Sequence, residues 1–151
     1  MTANALLTFT SLILGLFVGS LLTEAVILVP YWRSLKSETF LVLHGTLGPR
    51  LYKYFAPLTI LATLLPTITA IFCIWTGANA WIYSVAADLL VLAIFGIYFY
   101  YFKKANASFA SGSVGVAGLP AELRRWCIWH WLRTIMAMVA FLLALFALAK
   151  N

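Results

Sequence analysis

Residues 126–134 read Trp-Cys-Ile-Trp-His-Trp-Leu-Arg-Thr and run straight into IMAMVAFLLALFAL. An imidazole and a guanidinium at the mouth of a hydrocarbon-like run need a reason. A charge at the centre of a bilayer costs roughly 2.5–3.5 kcal/mol on insertion scales. His130 and Arg133 are three residues apart, so on a helix they share a face; Trp126 and Thr134, each four residues from His130, share it as well. Two carboxylates, Glu24 and Asp88, lie in equally apolar surroundings. A carboxylate, an imidazole and a guanidinium that meet inside a bundle form a small-molecule site. An arginine–carboxylate pair offsets much of its own burial cost, and an imidazole exchanges a proton near neutral pH. On this reading His130, Arg133 and Glu24 carry the chemistry. Trp126, Trp129, Thr134, Asp88, His44 and Arg50 are the candidate substrate-binding residues. Blander roles stand beside these: Arg133 snorkelling to the headgroups, His130 as one more interfacial ring, Glu24 and Asp88 as structural partners. No HxxxH, ExxH or CxxC spacing occurs, so no metal is expected, and Cys73 and Cys127 read as buried free thiols.

The elements that hold these residues follow from composition. Of 151 residues, 64% are hydrophobic and 9% charged, and the mean hydropathy is +1.01. A soluble domain carries roughly 25% charged residues, so this chain has too little polar surface to face water all round. One all-α, integral membrane four-helix bundle is the predicted fold. Its spans lie at about 5–29, 55–75, 80–102 and 128–149, each near the roughly 20 residues that cross a bilayer core. The first stretch lacks a positive leader and exceeds a signal-peptide core, so it reads as a span.

Cations cluster in two connections: Arg33, Lys36, Arg50 and Lys53 in the first, Lys103, Lys104, Arg124 and Arg125 in the third. Lys and Arg concentrate on the cytoplasmic side. Loops 30–54 and 103–127 are therefore expected in the cytosol and both termini on the opposite side. The basic balance reports membrane topology, not nucleic acid. Within loop 30–54, apolar residues at Phe40, Leu41, Leu43, Leu47 and Leu51 predict a short interfacial helix with Ser37 as N-cap, ended by Gly48-Pro49. The small, polar, Gly-rich stretch from Asn106 to Leu123 predicts a flexible linker, with a helix starting near Pro120. Asn106-Ala-Ser108 is a chance glycosylation sequon on a cytosolic loop. Trp32, Tyr52, Tyr101, Trp126 and Trp129 are expected in one aromatic belt, Trp75, Trp81 and Tyr83 in the other.

Ser11, Gly15, Gly19 and Thr23 recur every four residues, a small-residue stripe expected to face a partner helix, within the chain or in a homo-oligomer. Glu24 sits at its edge. Pro66 is expected to kink the second span. At about 1.5 Å per residue, Glu24 lies roughly 7 Å, His130 roughly 3 Å and Arg133 roughly 8 Å from the cytosolic ends of their spans. The three occupy one layer, whereas Asp88 lies roughly 20 Å deep, out of their reach.

At Arg124-Arg-Trp-Cys-Ile-Trp-His-Trp-Leu-Arg-Thr134 the sequence resembles the anthrone oxygenase-like family of small four-span membrane proteins, many of which open their last span with W…W-N/H-x-x-R-T. Here Trp126, Trp129, His130, Arg133 and Thr134 occupy that signature. The glycine-rich first span ending at Pro30 and the apolar third span fit as well. The resemblance implies oxidation of an anthrone to an anthraquinone with O2 as co-substrate and no metal or organic cofactor. It implies a base (His130 or Glu24), a partner for the developing oxyanion (Arg133) and an aromatic slot built from tryptophans for a hydrophobic aromatic ligand. Some relatives carry Asn where this chain has His130. Two other classes stay open: a non-catalytic membrane subunit packing through the GxxxG face, and a carrier relaying protons through Asp88 and Glu24. The chain lacks the paired interrupted halves of transporters, which ranks the carrier last.

Overall fold

A computed structural model describes residues 2–151, and it is all-α. Helix α1 (Ala3–Thr23) passes through one π-helical turn (Glu24–Leu28) into α2 (Val29–Ser34). A two-residue link leads to α3 (Ser37–Thr76). Then come α4 (Trp81–Ile97), a second π-turn (Tyr98–Phe102), α5 (Lys103–Ala110) and α6 (Gly115–Lys150). Four of the resulting rods are long and apolar enough to cross a membrane. They pack as a square in which α1 and α4 each touch both α3 and α6, and α3 and α6 face each other across the diagonal. The chain ends meet, with Asn151 donating to Asn4 Oδ1 at 2.8 Å.

Large aliphatic side chains such as Leu12, Leu16, Ile71, Leu89 and Ile128 point outward and are more than half exposed. That inverted arrangement suits a lipid solvent. Inside, α6 presents the buried Ala137, Ala140 and Ala144 against Leu14 and Leu21 of α1 and Ala87 and Val91 of α4, and the buried Ala147 against Leu7 and Cys73. Close packing through small residues is what holds helices together where no hydrophobic drive exists. The α1 stripe does something else. Gly15 faces the Phe141 ring, 3.3 Å from where a Cβ would sit, and Gly19 faces open space. The alanines of α6, not the GxxxG of α1, make the tight helix contact.

The expected boundaries are corrected at three places. The interfacial helix is not separate: α3 runs unbroken through Gly48-Pro49, Pro57 and Pro66. A residue before proline leaves the helix because its Cβ meets the ring. Gly48 has no Cβ, which eases that clash at Pro49, but α3 also continues past Ala56-Pro57 and Leu65-Pro66, so packing along the rod holds the helix at all three prolines. In the buried half of α3, the Thr63 and Thr67 hydroxyls bond the Thr59 and Thr63 carbonyls one turn back, at 2.9 Å each, on either side of Pro66. The flexible linker is also largely helical, since α5 and α6 leave only Ser111–Val114 between them. Gly112 and Gly115 take positive φ there, which lets the chain reverse in so few residues. Helix α6 begins five residues before Pro120. At the opposite end α3 closes in a Schellman cap: Gly77 takes φ 65°, with Ala78 N–H on Cys73 O at 3.0 Å and Gly77 N–H on Ile74 O at 3.2 Å.

The rods hold 30 to 40 residues, so at 1.5 Å per residue they measure about 45–60 Å against a hydrocarbon core of about 30 Å. The excess projects at the end that carries the cations, as a cap with its own core. There Trp32, Phe40, Phe102, Phe109, Leu119, Leu123 and Trp126 are buried together. Trp32, Tyr101 and Trp126 are thus core residues and not belt residues, whereas Trp75 is exposed at the other end as a belt residue would be. Phe40 is 1% exposed and stands edge-on to Trp32 and Phe109. Phe40→Ala is expected to lower stability by about 3–5 kcal/mol through the cavity it leaves. Thermal unfolding in detergent measures this, and an unchanged midpoint would show that the cap is not a packed core.

Candidate functional site

Between the membrane-embedded bundle and the cap lies a cavity of about 490 Å³, within the range of roughly 300–1,000 Å³ typical of ligand pockets. Both π-turns open onto it. Glu24, the first residue of one, lines it, and so do Tyr98 and Phe99 of the other. A π-turn inserts one residue into a helix and re-aims the side chains around it, and such turns recur at functional sites. Trp32 and His44 close the cap side, Thr59 and Phe95 the bundle side, and Arg133 and Asn106 complete the wall.

Glu24 and Arg133 form the polar heart of the wall. Glu24 is 4% exposed. Arg133 Nη2 donates to its Oε2 at 3.1 Å, while Oε1 takes no hydrogen bond among the described residues. The guanidinium lies 4.0 Å above the Phe102 ring and 5.6 Å from the Trp126 ring. Two aromatic faces and a carboxylate therefore hold the cation. Arg133 turns inward to the acid; it does not snorkel.

His130 is fully buried, behind this pair. Arg133 donates to its Nδ1 from Nε at 3.0 Å and from Nη2 at 2.8 Å. An arginine can only donate, so Nδ1 is the acceptor and Nε2 carries the hydrogen, which it gives to the Leu21 carbonyl at 3.0 Å. Both ring nitrogens are occupied, and His130 lies off the cavity wall. The His130 Nδ1 to Glu24 Oε2 distance of 3.6 Å brings two acceptors together, so it is no ion pair. Trp126 stacks on the imidazole at 4.9 Å and 13° and anchors its own indole N–H on Asn106 Oδ1 at 2.9 Å. His130 is a positioning residue: it fixes the guanidinium and links it to the backbone of α1. Thr134, also fully buried, spends its hydroxyl on the His130 carbonyl at 2.8 Å.

The other sequence candidates separate. His44 lines the cavity, with Trp32, Phe40 and Phe109 edge-on or tilted around it at 5.4–6.3 Å, and its Nδ1 has no partner. Its ring lies over Gly48, where a Cβ would come within 3.0 Å of it. Arg50 is exposed and off the wall. Asp88 accepts from the Thr67 hydroxyl at 2.7 Å on the bundle's far half, away from the cavity, as the depth estimate required. Trp129 stacks on Tyr101 at 5.5 Å, outside the cavity. The sequence reading missed Trp32, Tyr98, Phe102 and Asn106. Asn106 was visible only as part of a sequon, although its side chain is a structural partner of Trp126. Phe102 sat in the aromatic run Tyr98–Phe102, and only the π-turn selects which of those rings face inward.

Glu24 is the one acidic residue on the wall among the described residues, and no three His, Cys, Asp or Glu side chains converge there or elsewhere in residues 2–151. The arrangement offers one carboxylate with a free oxygen, two cations (the fixed Arg133 and Lys103) and flat aromatic walls. No family model matches the chain, and no curated protein or solved structure matches it either.

Proposed function

We propose that this chain is a membrane-embedded, oxygenase-like enzyme that converts an anthrone-type polyphenol to a quinone by base-assisted reaction with O2, without a cofactor. The observation that carries the reading is the pairing of Glu24 and Arg133 on the wall of an aromatic-lined cavity. A planar polyphenol fits between rings such as Trp32, Tyr98 and Phe99. The free Oε1 of Glu24 removes a proton from the acidic methylene, and the enolate oxygen faces the Arg133 guanidinium, which stabilises the charge as it forms. The anion reduces O2, and a C–O bond forms to give a hydroperoxide at the former methylene carbon. Glu24 returns its proton to the peroxide to give that hydroperoxide, then takes the remaining hydrogen of the same carbon as the O–O bond breaks, and the departing hydroxide leaves with that proton as water, which forms the second carbonyl. One anthrone and one O2 become one anthraquinone and one water. His130 holds Arg133 in place and takes no proton in this scheme. The cation-rich cap faces the cytosol, and both termini face the other side, because both clusters of Lys and Arg lie at the cap end.

Oxygen uptake by the purified protein with a hydroxyanthrone tests this, run with and without a chelator. Stoichiometric quinone formation above the protein-free rate, indifferent to the chelator, is expected. The protein-free rate would refute the reading. The alternative, a non-catalytic membrane subunit packing through its Gly15–Gly19 face, draws on the open groove in front of Gly19. It predicts co-purification with a partner and no uptake.

A further inference from the structure

Away from the Glu24–Arg133 pair, the cap end of the cavity carries a second set of polar groups. Helix α3 brings His44 and Tyr52 to the wall two turns apart, and α5 brings Lys103 and Asn106, three residues apart on one face. His44 is 8% exposed, and its Nδ1 lies covered beside Gly48 with no partner. Packed among three rings and touching no acid, the imidazole is neutral and holds one hydrogen. Buried N–H groups go unpaired more rarely than buried acceptors, so that hydrogen sits on Nε2 and the ring turns a donor to the cavity. A phenylalanine would fill the same place without burying an unpaired polar group. Asn106 is oriented by its neighbour. The Trp126 indole can only donate, so the amide oxygen faces it at 2.9 Å and the NH2 keeps no acceptor among the described residues. Lys103 stands exposed at the cavity mouth and pairs with no acid among the described residues. Glu24 and Arg133 balance each other. The wall is left with one unmatched positive charge and two unmatched donors, and its other polar side chains, Tyr52, Thr59 and Tyr98, are hydroxyls that can donate as well.

We propose that the cap end of the cavity receives a carboxylate borne by the ligand, so that the substrate is an aromatic acid. This deepens the function proposed above and rests on its placement of the ring system. A carboxylate is acceptor-only, with about four lone-pair sites, enough for His44, Asn106 and Lys103 together. Its charge makes the occupied cavity neutral, which burial favours. A phenol meets the donors less well, because it brings a hydrogen of its own and leaves Lys103 unmatched. The acid also sets direction: held at the cap end, it turns the rest of the ring system toward Glu24.

The test uses the full chain in phosphatidylcholine nanodiscs and two probes that need no turnover, an anthraquinone carboxylate and the corresponding uncharged carboxamide. Quenching of tryptophan fluorescence reads binding, since Trp32 and Trp126 line the cavity. The carboxylate is expected to bind about 10-fold or more tightly than the amide, the effect of charge-assisted hydrogen bonds. His44→Phe keeps the ring packing, and Asn106→Asp keeps an acceptor for Trp126 while placing a like charge at the pole. Each should bring the two affinities together or reverse them. Lys103→Met should lower the preference, and Lys104→Met, next along the helix and off the wall, should not. Equal affinities in the wild type, binding of neither probe, or a preference unchanged in both His44→Phe and Asn106→Asp overturns the proposal. Equal losses in Lys103→Met and Lys104→Met also overturn it, by assigning the preference to the charge of the membrane surface. Nanodiscs of phosphatidylglycerol test a lipid phosphate as the occupant. Displacement of the amide there overturns the proposal, because surface charge alone does not move an uncharged ligand. Oxygen uptake with a hydroxyanthrone on the same preparation separates the two claims. A carboxylate preference without uptake refutes only the reaction; uptake with equal affinities refutes only the acid.

Discussion

Arg133→Ala is expected to cost about 3–5 kcal/mol of stability and to disable the site at the same time. The guanidinium side chain is 15% exposed and the Glu24 carboxylate 5%. Removing the cation leaves a buried carboxylate whose only protein hydrogen bond came from Arg133. The same change removes the donor on His130 Nδ1 and the cation over Phe102, so three contacts fail together. Unfolding in detergent should show a large drop in midpoint. Arg133→Lys should recover only part of it, because an ammonium cannot bond Glu24 and His130 as a planar fork while lying flat on a ring. A wild-type midpoint in Arg133→Ala would mean that the pair is solvated.

Glu24→Gln is expected to lower anthrone turnover by about 100-fold or more, the contribution typical of a positioned general base. Glutamine keeps the shape and still accepts from Arg133, so the fold survives and the loss is chemical. His130→Asn should behave differently. The imidazole touches Arg133, Leu21 and Trp126 and no part of the cavity, so a smaller polar side chain loosens the cation without removing a reacting group. A loss within about 10-fold is expected, with no change in the pH profile of turnover. Turnover in Glu24→Gln at the wild-type rate would remove the carboxylate from the reaction. A shifted pH profile in His130→Asn would return the imidazole to it.

The meeting of Glu24, His130 and Arg133 was legible in advance. A charge in hydrocarbon must find a partner, and a fixed rise per residue gives each candidate a depth. Those two facts placed the three in one layer and left Asp88 outside it. What each group does within the layer was not legible. Spacing put His130 and Arg133 on one face, but only the rotation of α6 decides that Arg133 reaches the cavity and His130 stands behind it. The two π-turns have no sequence signature, yet they aim Glu24 and select among five consecutive aromatic residues. Gly48-Pro49 read as a stop because that pair commonly ends a helix; here α3 passes through it as it does through Pro57 and Pro66, and the missing Cβ at Gly48 seats the His44 ring. The GxxxG of α1 read as a helix contact because close approach is its usual use. The alanine stripe of α6 took that role and left the glycines facing a groove.

The chemistry proposed for the cavity requires that Glu24 and Arg133 stay paired in its wall. A double-mutant cycle on unfolding stability, with Glu24→Gln, Arg133→Met and the pair, measures this directly. Residues that share one buried contact couple by about 0.5–3 kcal/mol. Coupling near the upper end is expected, with Arg133→Met far less harmful once Glu24 is already Gln. Additive effects would contradict the account, for they would show the acid and the guanidinium turned to separate surroundings.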